Sequence, residues 1–166
     1  NHSGYPANSV TLFTERIIDL LGVDAKEPTN TDTNRQNSGN NRYSQSNLDQ
    51  WLNDAGLNWW TATHAYDAAP TDVGLSQPVG YDDKLGFKSN FTTEELAAVL
   101  DTTIRVAKNT VTDGGSYEDV VRKFFIPSTT ELNLANENSI AEGVVLSAYS
   151  GAADAARIAY ATQAVI

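Results

Sequence analysis

The sequence has no cysteine and no methionine, and only two histidines, His2 and His64, among its 166 residues. Without cysteine there is no disulfide framework, no thiolate metal site and no cysteine nucleophile. Two histidines are too few for a zinc site that uses several imidazoles. The fold must therefore be held by an apolar core, and 40% hydrophobic residues in a chain of this length can form one.

Positive charge is also scarce. The chain has 11 Lys and Arg against 21 Asp and Glu, which gives a formal net charge of −10. The basic residues are scattered, whereas nucleic-acid binding requires a basic face, so we predict no nucleic-acid partner. No apolar run approaches the ~20 residues of a membrane helix, so we also predict no membrane insertion.

Sequence signatures of catalysis are missing as well. A Ser-His-acid triad would have to use His64 or His2, and no Gly-x-Ser-x-Gly or phosphate-binding glycine motif is present. The 21 carboxylates show no spacing that marks a catalytic pair. We predict a non-enzymatic protein with no catalytic residues. A carbohydrate-active enzyme with an acid pair that only the fold assembles remains the alternative.

The polar stretch from Asp24 to Asn41 predicts a long loop, and it contains the best candidate ligands for calcium: Asp32, Asn34 and Asn37. An EF-hand loop requires Gly at its sixth place and Glu at its twelfth. Counting from Asp32, those places hold Asn37 and Tyr43, so the match fails. A calcium site of another kind stays open, and no other cofactor or metal is predicted.

The segment NWWTATHAYD is the richest candidate for binding, through Trp59, Trp60, His64 and Tyr66. Aromatic faces stack on sugar rings, and Trp and Tyr also carry a polar group. The alternative is that one tryptophan belongs to the core and the other covers a loop.

A second segment, GNNRYSQSNLDQWLND, first suggests an active site, but each of its residues can be assigned a structural role instead. The glycine permits a tight turn, the serine is a helix N-cap, and Leu48, Trp51 and Leu52 share one helix face. We expect structural roles for seven residues: Gly39, Asn41, Arg42, Tyr43, Ser46, Trp51 and Leu52.

Several further elements are predicted from pattern. Thr92 and Glu95 form a capping box for a helix with Leu96, Val99, Leu100 and Thr103 on its buried face, and a strand follows near Thr103–Val106. Strands are predicted at Val10–Thr14 and Phe124–Ser128, with a glycine turn at Gly114–Gly115. A helical turn is predicted at Tyr117–Lys123, and a second capping box, Ser128 with Glu131, begins a short helix to Leu134.

Three blocks in order, GNNRYSQSNLDQWLND, GFKSNFTTEEL and VAKNTVTDGGSYEDVVRKFFIPSTTELNLANENSIAEG, resemble a domain family of unknown function. That family occurs in bacterial surface proteins and in structural proteins of phages and prophages. Its pattern reads N-x-W/Y-x-x-S-x-[IL]-R-x-W-L-N, then G-F-[LK]-x-x-F-[ST], then [VF]-[FL]-[IL]-[PL]-S-x-x-E. This chain has Asp49 where the family usually has Arg, and it lacks the family's later W-L-R-S block.

The resemblance implies a fold similar to the C-type-lectin and formylglycine-generating-enzyme group. We therefore expect an α+β fold, with a small twisted, mostly antiparallel sheet, short helices and long irregular loops. We expect residues 1–166 to be a single domain and a segment of a longer chain, because position 1 is not Met and the C-terminal block is absent.

For function, the resemblance implies a surface-displayed module without catalysis. The first expectation is a phage virion structural, decoration or fibre protein that binds a host surface glycan or protein. The alternative is a bacterial cell-surface adhesin or carbohydrate-binding domain. The expected location is the virion or the bacterial cell surface. The expected partners are other virion or surface-protein subunits, and the chain is expected to be oligomeric.

Overall fold

The computed structural model describes residues 4–14, 18–19, 21–70, 84–109, 112–134 and 141–146. The chain divides into two compact units. Unit 1 comprises Asn1–Ile18, Leu100–Thr110 and Gly114–Ile166, and unit 2 comprises Asp19–Val99 and Val111–Asp113. The helices and strands among the described residues define an α+β protein: α1 Thr33–Ser38, α2 Asn47–Leu52, α3 Thr93–Ala98, β1 Thr102–Ala107, β2 Tyr117–Arg122, and the 3-10 turns Tyr43–Gln45 and Phe87–Asn90.

The sheet of unit 1 is an antiparallel pair of β1 and β2, in register from Thr102 opposite Arg122 to Ala107 opposite Tyr117. β1 alternates strictly, with Thr102, Ile104 and Val106 buried, as a strand with one covered face requires. The turn between the strands contains Gly114 and Gly115 at φ +75° and +70°. Such values are easily adopted only by glycine, which fixes the position of the turn.

The core of unit 1 is built from Tyr5, Leu132 and Leu146. The Tyr5 hydroxyl donates to Glu131 Oε1 at 2.5 Å, and its ring meets Phe125 edge-on at 5.7 Å between centroids. The Leu146 amide donates to the Glu131 carbonyl at 3.0 Å. Glu131 thus joins three separate segments of this unit, through its carboxylate to Tyr5 and through its main-chain carbonyl to Leu146.

Unit 2 is organised around α2. Ser46 precedes the helix and accepts from the Asp49 amide through its hydroxyl, so the predicted N-cap is confirmed. Trp51 and Leu52 are buried, and the Trp51 ring packs at 5.4 Å against the ring of Phe87 from the second 3-10 turn. The capping box of α3 is also confirmed, because the Thr92 hydroxyl accepts from the Glu95 amide and the Glu95 carboxylate accepts from the Thr92 amide. The predicted strand near Thr103–Val106 and the glycine turn are confirmed as β1 and its hairpin.

Several predicted elements were wrong. Val10–Thr14 forms no strand, and Val10 and Leu12 are 80% and 87% exposed. An alternating pattern gives a strand only where a partner strand accepts it. Tyr117–Lys123 is not a helical turn but contains β2, because the glycine turn directs this segment back along β1. Phe124–Ser128 is irregular rather than a strand.

Helix lengths were also mispredicted. The Asp24–Asn41 loop contains α1, which Asp32 caps. The helix α3 ends at Ala98 and buries none of its residues, while Leu100 and Thr103 are exposed, so the predicted buried face was wrong. Ser128 and Glu131 do make the reciprocal bonds of a capping box, but only turns follow and no helix reaches Leu134.

Within the described ranges, no helix is long and apolar enough to cross a membrane.

Candidate functional site

Two tryptophans of unit 2 donate hydrogen bonds to adjacent carbonyls of one short backbone segment. The Trp51 indole N–H donates to the Leu85 carbonyl at 2.9 Å, and the Trp59 indole N–H donates to the Lys84 carbonyl at 3.0 Å. The side chains are 5% and 4% exposed. Lys84 also places its ammonium 5.4 Å from the Trp51 ring centroid and pairs with Asp19. Trp59 therefore lies in the core and cannot offer a ring face to a ligand.

Gly86, which follows Leu85, packs directly against the main chain of Asp54 and Ala55. A Cβ at this position would stand 2.3 Å from the Asp54 carbonyl oxygen and 2.9 Å from the Ala55 nitrogen. The two backbone segments are held together by hydrogen bonds from the Gly86 amide to the Gly56 carbonyl and from the Lys88 amide to the Asp54 carbonyl. The glycine of the GFKSNF block is thus required by the closeness of two backbone segments.

Asp24 organises the polar loop that precedes α2. Its two carboxylate oxygens accept from the amides of Asn40 and Asn47 at 2.9 and 3.1 Å. Burial raises the pKa of Asp24 to about 6, the two amide bonds oppose that rise, and the charges of Glu27 and Asp67 add to it. A raised carboxyl pKa often marks a catalytic acid. Here both oxygens hold loop backbone in place.

The signature residues support this loop. Gly39 has φ +77°, and a Cβ there would stand 2.4 Å from the Ala25 carbonyl oxygen, so a turn and a close approach both require glycine. Ser46 is fully buried, and its hydroxyl donates to the Tyr43 carbonyl at 2.7 Å. Tyr43 is buried, whereas Asn41 is exposed.

The arginine of the signature lies beside an acid from the end of unit 2. The Arg35 guanidinium donates to both carboxylate oxygens of Asp113, at 2.9 and 2.8 Å. The Arg42 guanidinium lies 3.7 Å from the same carboxylate. The Asp113 side chain is only 7% exposed. Both bonds come from one guanidinium nitrogen, Nη2, and a largely buried ion pair of this kind holds geometry more firmly than a surface ion pair. Arg42 is therefore placed for a structural role.

The exposed part of NWWTATHAYD forms an ordered turn, which we call the histidine turn, residues 60–67. The Asp67 carboxylate accepts from the amides of Thr63 and His64 at 2.9 and 2.8 Å, and it lies 3.2 Å from His64 Nδ1. From α2, Gln50 donates to the Thr61 carbonyl at 2.7 Å. The backbone of the turn is thus fixed from inside, although its surface is polar and accessible.

The aromatic side chains of the histidine turn differ from their buried neighbour Trp59. Trp60 is half-buried, and His64 and Tyr66 are exposed. Across the described residues, no hydrogen bond reaches the Trp60 indole N–H, His64 Nε2 or the Tyr66 hydroxyl. Tyr66 also has φ +76°, a value that is unfavourable for a bulky side chain. The structure therefore brings three of the four predicted binding residues into one turn and buries the fourth, Trp59, in the core of unit 2.

The candidate calcium ligands lie on or beside α1. Asp32 uses its Oδ1 to cap the helix, accepting from the amides of Asn34 and Arg35 at 2.9 and 3.0 Å. Asn37 donates to the Thr33 carbonyl. Over the part of the chain that the structure describes, no group of three or more His, Asp or Glu residues is placed to hold a metal ion.

Sequence reasoning missed Asp24, Gly86 and Asp113. Each acts on a backbone or side chain that is distant in sequence, so no local pattern marks it. The only available signal was that Gly86 opens a block shared with the resembled family.

Comparison with known proteins places the chain in a family. The family model described as "Domain of unknown function (DUF6273)" matches residues 8–165, and the chain therefore belongs to this family. No curated protein and no solved structure gives a significant match.

Proposed function

We propose that this chain is a non-enzymatic binding module, displayed on a phage particle or a bacterial surface, that recognises a glycan through the histidine turn. Its place would be that of a decoration or fibre component beside other structural subunits. The resemblance described above supports the surface setting, and the geometry of the turn supports the ligand class. We also propose that its small α+β fold belongs to the C-type-lectin-like group.

The observation that carries the proposal is Tyr66. A non-glycine residue in the left-handed region costs about 1–2 kcal/mol, and such strain is concentrated at functional sites. Tyr66 is 44% exposed, and among the described residues its hydroxyl has no hydrogen bond and its ring no aromatic partner. The strain therefore brings no visible structural gain, which is expected when the ring serves a ligand.

The chemistry around Tyr66 fits a sugar. A pyranose presents an apolar face to an aromatic ring and hydroxyls to polar groups at its rim. The Trp60 indole N–H supplies a hydrogen-bond donor at this turn. His64 Nε2 supplies a donor or an acceptor, according to the tautomer of the ring. The Asp67 bonds hold the backbone before binding, which reduces the ordering cost of association.

The test is binding of the purified chain to an array of bacterial surface glycans. Because a ring that stacks on a ligand contributes about 0.5–1.5 kcal/mol beyond its buried area, Tyr66→Gly should weaken binding roughly tenfold or more. Glycine also relieves the φ +76° strain, so thermal stability should be unchanged or higher. Trp60→Ala should weaken binding with little change in stability.

Leu57→Ala is the matched control, since Leu57 is an exposed apolar residue of the same unit outside the turn. It should leave binding unchanged. The proposal is wrong if Tyr66→Gly binds as well as the wild type, or if it lowers stability, because the strained tyrosine would then be structural.

A further inference from the structure

The outer edge of β2 exposes backbone hydrogen-bonding groups. The Lys108 amide donates to the Ser116 carbonyl at 3.0 Å, so the antiparallel alternation directs the amides of Tyr117, Asp119 and Val121 away from β1. The corresponding outward amide on β1, that of Ala107, is taken by the Glu142 carboxylate at 2.9 Å. In the described part of the chain, nothing equivalent reaches the three amides on β2.

The side chains along this edge protect it only through charge. Natural edge strands are blocked by charged side chains, lysine above all, by proline or by a bulge. β2 has no lysine, proline or bulge within Tyr117–Arg122, and Val121 is 55% exposed. Its charged residue on the exposed face, Asp119, is neutralised by Arg105, which pairs with it at 2.9 Å and stacks 3.6 Å from the Tyr117 ring centroid.

The charges of β2 are complementary to those of a second copy in one antiparallel register. With the two-fold axis at Val120, Glu118 of each copy lies opposite Arg122 of the other. Asp119 then lies opposite Val121, and Tyr117 lies opposite Lys123. A register centred on Asp119 would instead place two aspartates face to face, which is unfavourable across strands. A register centred on Val121 also keeps like charges apart, but it pairs only residues 120–122 within β2, whereas the Val120 register pairs residues 118–122. The Val120 register therefore combines charge complementarity with the longer overlap.

We propose that two copies of this chain pair through the β2 edge, forming a continuous four-stranded antiparallel sheet with a two-fold axis at Val120. This contact is isologous, so each copy contributes the same surface and the assembly closes as a dimer. The Val121 carbonyl already accepts from Arg122 at 2.9 Å, and its second lone pair remains for the partner strand.

Analytical ultracentrifugation over a wide concentration range tests the pairing. The wild type should show a concentration-dependent dimer. Glu118→Arg or Arg122→Glu alone should weaken the dimer by roughly tenfold to thirtyfold, since two attractive cross-strand pairs become repulsive. An equimolar mixture of the two single variants should recover the dimer as a heterodimer, because their charges are then complementary.

The residues directly opposite these two positions in the hairpin are uncharged. Glu118 lies across from Val106 and Arg122 across from Thr102, so neither change places like charges within the hairpin. Glu94→Arg on α3 changes the net charge by the same amount as Glu118→Arg and should not affect the dimer. Val121→Pro removes one outward amide and should abolish pairing, with circular dichroism unchanged.

A wild type that is monomeric at all concentrations overturns the proposal. So does a dimer that survives Val121→Pro, or a mixture of the charge variants that associates no better than each alone. If either charge variant fails to fold by circular dichroism, the proline variant decides the question.

Discussion

Replacement of Trp51 by alanine should destabilise unit 2 severely. The ring is 5% exposed, packs on Phe87 at 5.4 Å and donates its N–H to the Leu85 carbonyl. Truncation of such a buried aromatic residue lowers the free energy of unfolding by about 3–5 kcal/mol. For a chain of this size that corresponds to a fall in the melting temperature of roughly 6–20 °C.

Two further substitutions separate the contributions. Trp51→Phe keeps most of the buried ring and loses the indole donor, so it should cost about 1–2 kcal/mol. Trp60→Ala is the matched control, because this tryptophan is only half-buried, and it should cost about 1 kcal/mol or less. The expected order of destabilisation is Trp51→Ala, then Trp51→Phe, then Trp60→Ala.

Urea unfolding followed by tryptophan fluorescence is the appropriate assay. All three tryptophans belong to unit 2, so their fluorescence reports this unit, and Trp59 remains as a probe in every variant. The reasoning is refuted if Trp51→Ala lowers the free energy of unfolding by less than about 1 kcal/mol, or by no more than Trp60→Ala does.

Gly39→Ala should cost about 2–4 kcal/mol, because φ is +77° and a Cβ would stand 2.4 Å from the Ala25 carbonyl oxygen. Gly114→Ala, with φ +75° and open space around it, should cost only about 1–2 kcal/mol, so equal losses in urea unfolding would contradict the steric argument. The pKa of Asp24 rises to about 6 in the folded state, so its ionisation opposes folding as pH rises from 4 to 7. After allowance for solvent screening this costs about 1–2 kcal/mol, and Asp24→Asn should remove that part of the pH dependence of stability measured by urea titration.

Local chemistry predicted the helix starts of unit 2 correctly. Ser46 and Thr92 cap their helices because a cap depends on a side chain and an amide three residues away, which the sequence displays directly. The buried Trp51 and Leu52 followed from the same helical spacing. These features need no knowledge of the rest of the chain.

Sheet structure was predicted less well, because strand formation depends on a partner. Val10 and Leu12 alternate as a strand should, yet they remain exposed and irregular. Val120 and Val121 were assigned to a helical turn, although the register set by the glycine turn places them beside β1. A strand is decided by pairing across the chain, which a local pattern does not contain.

The candidate site shows the same division. The sequence identified the aromatic segment but could not separate Trp59, which is buried, from Trp60 and Tyr66, which reach the surface. The difference arises from the Lys84 carbonyl, 25 residues away, which accepts the Trp59 indole N–H. Nor could any pattern show the strained backbone of Tyr66, because that conformation is imposed by the fold of the turn.

The contact of Gly86 with Asp54 has a consequence for how this family can diverge. Gly86 has φ −60° and ψ 153°, which any amino acid adopts with ease. Its backbone conformation therefore does not require glycine, and it is the closeness of the Asp54 carbonyl that excludes a Cβ. Glycine is therefore expected to persist at this position because any Cβ would collide with main chain. Asp54 should be restricted for a different reason, since its carboxylate accepts from the amides of Ala55 and Gly56 at 2.7 Å and so shapes the turn that Gly86 contacts.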